Sequence, residues 1–193
     1  ERLDVEITFQ PIDWAMKETE LASGNIDMIW NGYTITEERK EKVLFSEPYL
    51  SNSQIIVTMA DSDIETKADL AGKVVATQQG SAAFDAIIAD ETGIAAEFDG
   101  GTPILYPTFN DVFNDLESGR SDAIVVDEVL GRYTMKLKGE EKFAVLTDNF
   151  GDEEYGVGLR KEDVALKEAI DATMNDMRED GTYDEIYAKW FAE

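Results

Sequence analysis

The sequence predicts an α/β fold of two similar lobes, each a parallel-rich sheet flanked by helices. Three observations carry that prediction. Strand-like and helix-like stretches alternate along most of the 193 residues, the pattern that feeds parallel strands through crossover helices. A nine-residue unit, L-x-S-G-x-x-D-x-I, occurs at residues 21–29 and again at 116–124. Each copy reads as a helix end, a glycine C-cap and a buried strand, one per lobe. The chain is also long enough, at 43% hydrophobic residues, to fill two small cores.

The elements follow in order. Residues 3–12 alternate apolar and polar side chains, as a half-buried strand does. Asp13 can cap the helix behind it, which ends at Ser23-Gly24. Residues 26–33 form a second strand, and Thr36 caps a short helix with Glu37 and Glu38 in its first turn and Arg39 behind them. Residues 53–59 are a third strand. The pattern then restarts with a short helix and turn at 67–73, a strand at 73–79 and a helix opened by Gly80-Ser81. A loop and strand at 97–107, a helix at 110–119, a strand at 121–127 and a helix at 128–138 follow. Two more strands fall at 142–148 and 153–160, and from Glu162 the chain is helical, with a break at Asp180-Gly181.

Composition excludes several function classes. Seventeen Lys plus Arg against 42 Asp plus Glu give a net charge of −25, which repels nucleic-acid phosphates and anionic lipid headgroups. With no histidine and no cysteine there is no Ser-His-Asp triad, no thiolate nucleophile and no ordinary zinc site. A carboxylate-only metal site stays open, but no D-x-D-x-D-G calcium loop is present, nor a nucleotide fingerprint of the G-x-G-x-x-G or P-loop kind. No cofactor is expected. No run of 18 apolar residues exists to span a membrane as a helix. The sequence opens on Glu1 within a strand pattern, so a piece of a longer protein is expected.

In open α/β sheets ligands bind beyond the carboxyl ends of strands. Past the first repeat come Trp30, Asn31, Gly32, Tyr33 and Thr34, then Arg39; past the second come Asp127 and Glu128. One lobe thus offers a cation and a hydroxyl, the other a carboxylate, and a cleft between such lobes suits a zwitterion. Arg39 could fork onto a carboxylate, or make a surface ion pair with Glu37, Glu38 or Glu41. Gly80-Ser81 could be a plain helix cap or an anion site at a helix N-terminus. Asp127 could cap the following helix or accept from an ammonium group. Trp14 and Trp30 could be core or ligand contacts.

Four segments together resemble solute-binding protein family 3, the polar-amino-acid binding proteins of ABC importers, which include glutamine- and histidine-binding proteins. They are GNIDMIWNGYTITEERKEKVLFSEPY, DLAGKVVATQQGSAAFDAI, SGRSDAIVVD and REDGTYDEIYAKWF, in the family's order across essentially the whole chain. The resemblance implies the type II periplasmic-binding-protein fold. It implies that Arg39 and Thr34 bind the ligand α-carboxylate with the Gly32 N–H, and that Ser81 and the Ala82 N–H hold it from the other lobe. Asp127 and the Gly32 carbonyl would accept from the α-ammonium. Trp14 would pack on the ligand side chain, and Asn31, Gln78 and Val126 would tune its choice. Ala82 departs from members with a threonine there, which keeps a backbone contact and loses a hydroxyl one. Members also begin with a strand, loop and helix ahead of the strand that opens this chain, so the first lobe is expected to be incomplete, with a gap in its sheet. A second copy of the chain, swapping a strand, is one expected way to fill it.

The resulting expectation is a first lobe of residues 1–57 and 152–193 and a second of 58–151, joined by hinge crossings near 55–58 and 151–155. They would close on a free polar amino acid, glutamine or cystine from the uncharged character of Gln78, Asn31 and Trp14, and deliver it to an ABC transporter permease. The protein would act outside the cytoplasm, in the periplasm or lipid-anchored at the cell surface, and would not be an enzyme. The alternatives are a periplasmic dehydratase and a sensor ectodomain with the same lobes.

Overall fold

Residues 2–191 are described by a computed structural model of the chain. Its helices are α1 (Lys17–Ala22), α2 (Glu37–Lys42), α3 (Ala82–Ala89), α4 (Phe109–Glu117), α5 (Glu128–Lys138), α6 (Val164–Glu179) and α7 (Thr182–Phe191). Its strands are β1 (Leu44–Phe45), β2 (Leu50–Met59), β3 (Val75–Gln78), β4 (Ile104–Tyr106), β5 (Ala123–Asp127), β6 (Phe143–Tyr155) and β7 (Gly158–Leu159). Packing divides the chain into one unit of Glu1–Ile12, Met16–Leu50 and Glu154–Glu193 and another of Asp13–Ala15 and Ser51–Glu153. Residues 51–57 thus group with the second unit instead of the first, because β2 pairs with β5 from Gln54 to Thr58.

The second unit is a mixed five-stranded sheet in the order β4-β3-β5-β2-β6. Strand β3 runs parallel to β4 and β5, whereas β2 runs antiparallel to β5. The runs IIV in β2 and AIVV in β5 are apolar throughout because both sheet faces are covered. Alternate residues feed opposite cores: Ile56, Val75, Ala123 and Val125 pack with Ile87 of α3, while Ile55, Val57, Ile124 and Val126 pack with Val112, Phe113 and Leu116 of α4 and Met135 of α5.

The helix ends of the two repeat copies fold alike. Ser23, Gly24 and Asn25 N–H groups donate to Thr19, Leu21 and Glu20 carbonyls at 2.9, 3.1 and 3.0 Å. Ser118, Gly119 and Arg120 donate to Asn114, Leu116 and Asp115 at 3.1, 2.9 and 3.2 Å. Gly24 and Gly119 supply the left-handed turn residue, at φ 73° and 69°.

The first unit departs from expectation. Residues 4–12 form no strand, and the alternation leaves Val5, Ile7 and Phe9 outward, Phe9 90% exposed. A strand is held by the N–H and C=O groups of a neighbour, and among the described residues none pairs with this segment. The expected strand at 26–33 likewise contributes single antiparallel bridges, Ile29 with Gly158 and Thr34 with Tyr155. The sheet here is the pair β1-β7, Leu44 opposite Leu159. Packing comes instead from Val157, Leu159, Ile170 and Met174, with Met28, Tyr49 and Leu166 against them.

Candidate functional site

In the first unit, Thr36 accepts from the Arg39 N–H at 3.1 Å and starts α2. Helical spacing then separates the cations. Lys40 and Lys42 pair on the surface with Glu37 and Glu38 at 2.7 and 2.6 Å. Arg39 turns inward, 4% exposed, its guanidinium 4.7 Å from the centre of the Tyr33 ring and its Nη1 donating to the Thr34 carbonyl at 3.0 Å. The lysines therefore hold the surface ion pairs left open for Arg39, and the guanidinium is set by a ring face and a carbonyl.

The support under Arg39 is ordered in turn. The Tyr33 hydroxyl donates to Glu18 at 2.9 Å, and Lys17 lies 3.3 Å from the same carboxylate. Burial, with Glu18 beside it, holds the Tyr33 phenol well above its ordinary pKa, so it stays a donor. Burial pushes Glu18 up, but Lys17 and the Tyr33 bond outweigh it and keep the carboxyl below its usual value. Gly32 has φ 83° and its N–H donates to the Tyr49 hydroxyl at 3.2 Å; a Cβ there would lie 3.2 Å from the Tyr155 ring. Thr34 is buried, whereas Asn31 and Trp30 are exposed, Trp30 edge-on to Tyr49 at 6.1 Å. A separate cavity of about 320 Å³ in this unit, lined by Trp30, Tyr49, Met174, Met177, Tyr183 and Phe191 among others, is almost wholly apolar and lacks a charged lining residue.

In the second unit, Ser81 caps α3. Its hydroxyl accepts from Phe84 N–H at 3.2 Å and donates to the Gln78 carbonyl at 2.7 Å. The hydroxyl proton is thus directed at the backbone, and the Ala82 N–H in the first helical turn is the anion donor the turn offers. Gln78 donates to the Pro107 carbonyl at 2.9 Å, which fixes its amide. Val126, expected to tune ligand choice, is fully buried in the core beside α4 and α5. Strand alternation sends its side chain there. Trp14 is half-buried in a single 3₁₀ turn, Trp14–Met16, after Asp13 accepts from Ala15 N–H at 3.0 Å.

Asp127 ends β5 and stands at the N-cap of α5 without a side-chain capping bond. Asn52 takes that task, its Oδ1 accepting from Val129 N–H at 3.2 Å. The Asp127 carboxylate instead accepts, through Oδ1, from Asn52 Nδ2 at 3.1 Å and Gln54 Nε2 at 2.8 Å. The structure thereby separates the two roles the sequence left open. Asn52 and Gln54 escaped the sequence reading, although their i, i+2 spacing ahead of an apolar run places two amides on one strand face. Tyr49 also escaped it.

Among the described residues no cluster of three or more acidic groups is arranged to hold a metal, and no helix is long and apolar enough to cross a membrane.

The sequence matches the bacterial extracellular solute-binding proteins, family 3, over residues 1–193. It is 33% identical over 191 residues to the L-cystine-binding protein TcyJ of Escherichia coli (strain K12), covering 98% of this chain and 69% of that protein. The fold superposes with a TM-score of 0.93 on an ABC uptake transporter substrate binding protein from Streptococcus pneumoniae with bound histidine, at 37% identity, covering 98% of this chain and 77% of that one. An ancestral arginine-binding protein bound to glutamine matches at TM-score 0.89 and 37% identity, covering 100% and 83%.

Proposed function

The chain belongs to the bacterial extracellular solute-binding proteins, family 3, and from that membership we propose that its solute is a free polar amino acid, delivered to an ABC importer. The observation that carries the reading is the placement of Arg39: a buried guanidinium set over Tyr33 and fixed by the Thr34 carbonyl, where a carboxylate meets it at low dielectric. Asp127, ordered by two amides, offers the opposite charge for an α-ammonium. An amino acid carries one group for each. Thr34 joins Arg39 in this assignment; the Gly32 N–H is taken by the Tyr49 hydroxyl, so Gly32 contributes through its carbonyl toward the α-ammonium, and Ser81 and Ala82 add the helix N-terminus. Trp14, Asn31 and Gln78 bear on the side chain; all three are uncharged, which favours glutamine or cystine over a cationic or acidic ligand. One relative is a cystine-binding protein and one matched structure, of an arginine-binding protein, holds glutamine, while others hold histidine or arginine, so the choice of glutamine or cystine rests on Trp14, Asn31 and Gln78. A family of binding proteins assigns the chain no catalytic step.

The site of action follows the extracellular family, with the periplasm or a lipid anchor at the cell surface as the settings proposed. The two lobes are proposed along the two packing units, with crossings at residues 50–51 and 153–154. The exposed alternation of Val5, Ile7 and Phe9 supports a partner strand from a second copy. Light scattering showing a dimer favours that partner, and a 21.5 kDa monomer removes it.

Thermal melting against a panel of amino acids plus cystine tests the reading. A ligand at a hundred times its Kd stabilises by about 2.7 kcal/mol, a shift of several degrees for a chain this size. One strong hit among polar amino acids is expected; a normal melt unmoved by the whole panel contradicts the proposal.

A further inference from the structure

We infer that Asn52 and Gln54 are positioning residues for ligand binding, acting through Asp127. The inference rests on the proposed role of Asp127 toward the α-ammonium and goes beyond it to the residues that aim the carboxylate.

The geometry comes from strand order. Strand β2 lies between β5 and β6, so side chains on one of its faces reach both neighbours. Gln54 stands directly opposite Asp127 in the β2–β5 register, and Asn52 is two residues away on the same face. Each amide nitrogen has two N–H groups, and each divides them between two carboxylates. Asn52 Nδ2 lies 3.1 Å from Asp127 Oδ1 and 2.6 Å from Glu153 Oε1, and Gln54 Nε2 lies 2.8 Å from each of the same oxygens. Two acceptors facing each amide fix which end is nitrogen, since an amide oxygen turned that way would repel both.

Gln54 is 1% exposed and its Oε1 is buried with no hydrogen-bond partner. A glutamine buried in the core with its oxygen unpaired contributes there through its N–H groups. Both bonds to Asp127 fall on Oδ1, which fixes the plane of the carboxylate and leaves Oδ2 outside the network. Asn52, by capping Val129, also relieves Asp127 of the helix N-terminus that would otherwise compete for its lone pairs. The pair therefore holds Asp127 in one rotamer before ligand arrives, so that little ordering remains to be done on binding.

Calorimetric titration with the amino acid found in the melting panel, and with the α-hydroxy acid carrying the same side chain, separates positioning from a merely structural role. Gln54→Met keeps the volume and removes the donors. It is expected to weaken the amino acid about tenfold or more, and the hydroxy acid by less than about threefold, because only the first presents an ammonium to Asp127. In an Asp127→Ala background, Gln54→Met is expected to add less than about twofold, the non-additivity of residues acting as one unit. Asn52→Ala, which leaves both Gln54 donors in place, is the second variant should Gln54→Met fail to fold, and the same pattern is expected from it. Equal weakening of both ligands, an undiminished effect without Asp127, or an unchanged amino acid affinity in folded variants overturns the inference. A native protein that binds no amino acid, or binding indifferent to Asp127→Ala, removes the reading beneath the inference and the inference with it.

Discussion

Arg39→Lys is expected to weaken amino acid binding by about a hundredfold or more, although it preserves the charge. The guanidinium lies over the Tyr33 ring and donates sideways to the Thr34 carbonyl, a stacked and forked geometry that only a planar cation fills. An ammonium is a point charge with no plane to stack and no parallel pair of donors. It also needs more water than a 4% exposed position gives it. Lys40→Gln serves as the control. Lys40 sits one residue on in the same helix, paired with Glu37 at the surface, and its loss is expected to leave affinity within about twofold. Titration calorimetry reads both. An Arg39→Lys protein that binds as well as the native one would mean that Arg39 is a structural cation.

Phe113→Ala is expected to destabilise the second unit by about 3–5 kcal/mol. Phe113 has no exposed surface and meets the Phe143 ring edge-on, with centroids 5.7 Å apart and planes at 86°. With Val112 and Leu116 it fills the space between α4 and the sheet, among Ile55, Ile124 and Val126. Truncation leaves a cavity whose walls belong to three strands and cannot all collapse inward. Each kcal/mol moves the midpoint by about 4–8 °C in a unit of this size, so the loss is read directly in a thermal or urea melt. Phe9→Ala, at a residue 90% exposed, is expected to stay within about 0.5 kcal/mol.

The parts of this molecule legible in sequence were those set by local chemistry. The L-x-S-G repeat produced two turns with matching hydrogen bonds because a helix end closed by a left-handed glycine needs nothing from the rest of the fold. Thr36 and Ser81 cap where their spacing places them. Family resemblance pointed to Arg39 and Asp127 as the ligand-binding charges proposed above, and helical spacing explains why Arg39 and not Lys40 or Lys42 turns inward. What sequence withheld depended on partners. Residues 4–13 carry a strand's alternation, yet a strand exists only beside a neighbour that pairs with it. Val126 looked like a specificity position until strand alternation put it in the core. Asn52 and Gln54 read as the polar start of an apolar strand, and their meaning appears only when the register sets Gln54 against Asp127 and the sheet order brings Glu153 to their other side.

Recognition of the α-carboxylate and α-ammonium together is the central claim, and one titration series tests it most directly. The panel's best amino acid is titrated by calorimetry beside its methyl ester, which removes the carboxylate charge, and its α-hydroxy acid, which removes the ammonium. Binding of the amino acid with each analogue weakened by about tenfold or more is the predicted result. An ester or hydroxy acid that binds as tightly as the amino acid would contradict the assignment of Arg39 and Asp127 to the two charges of the ligand.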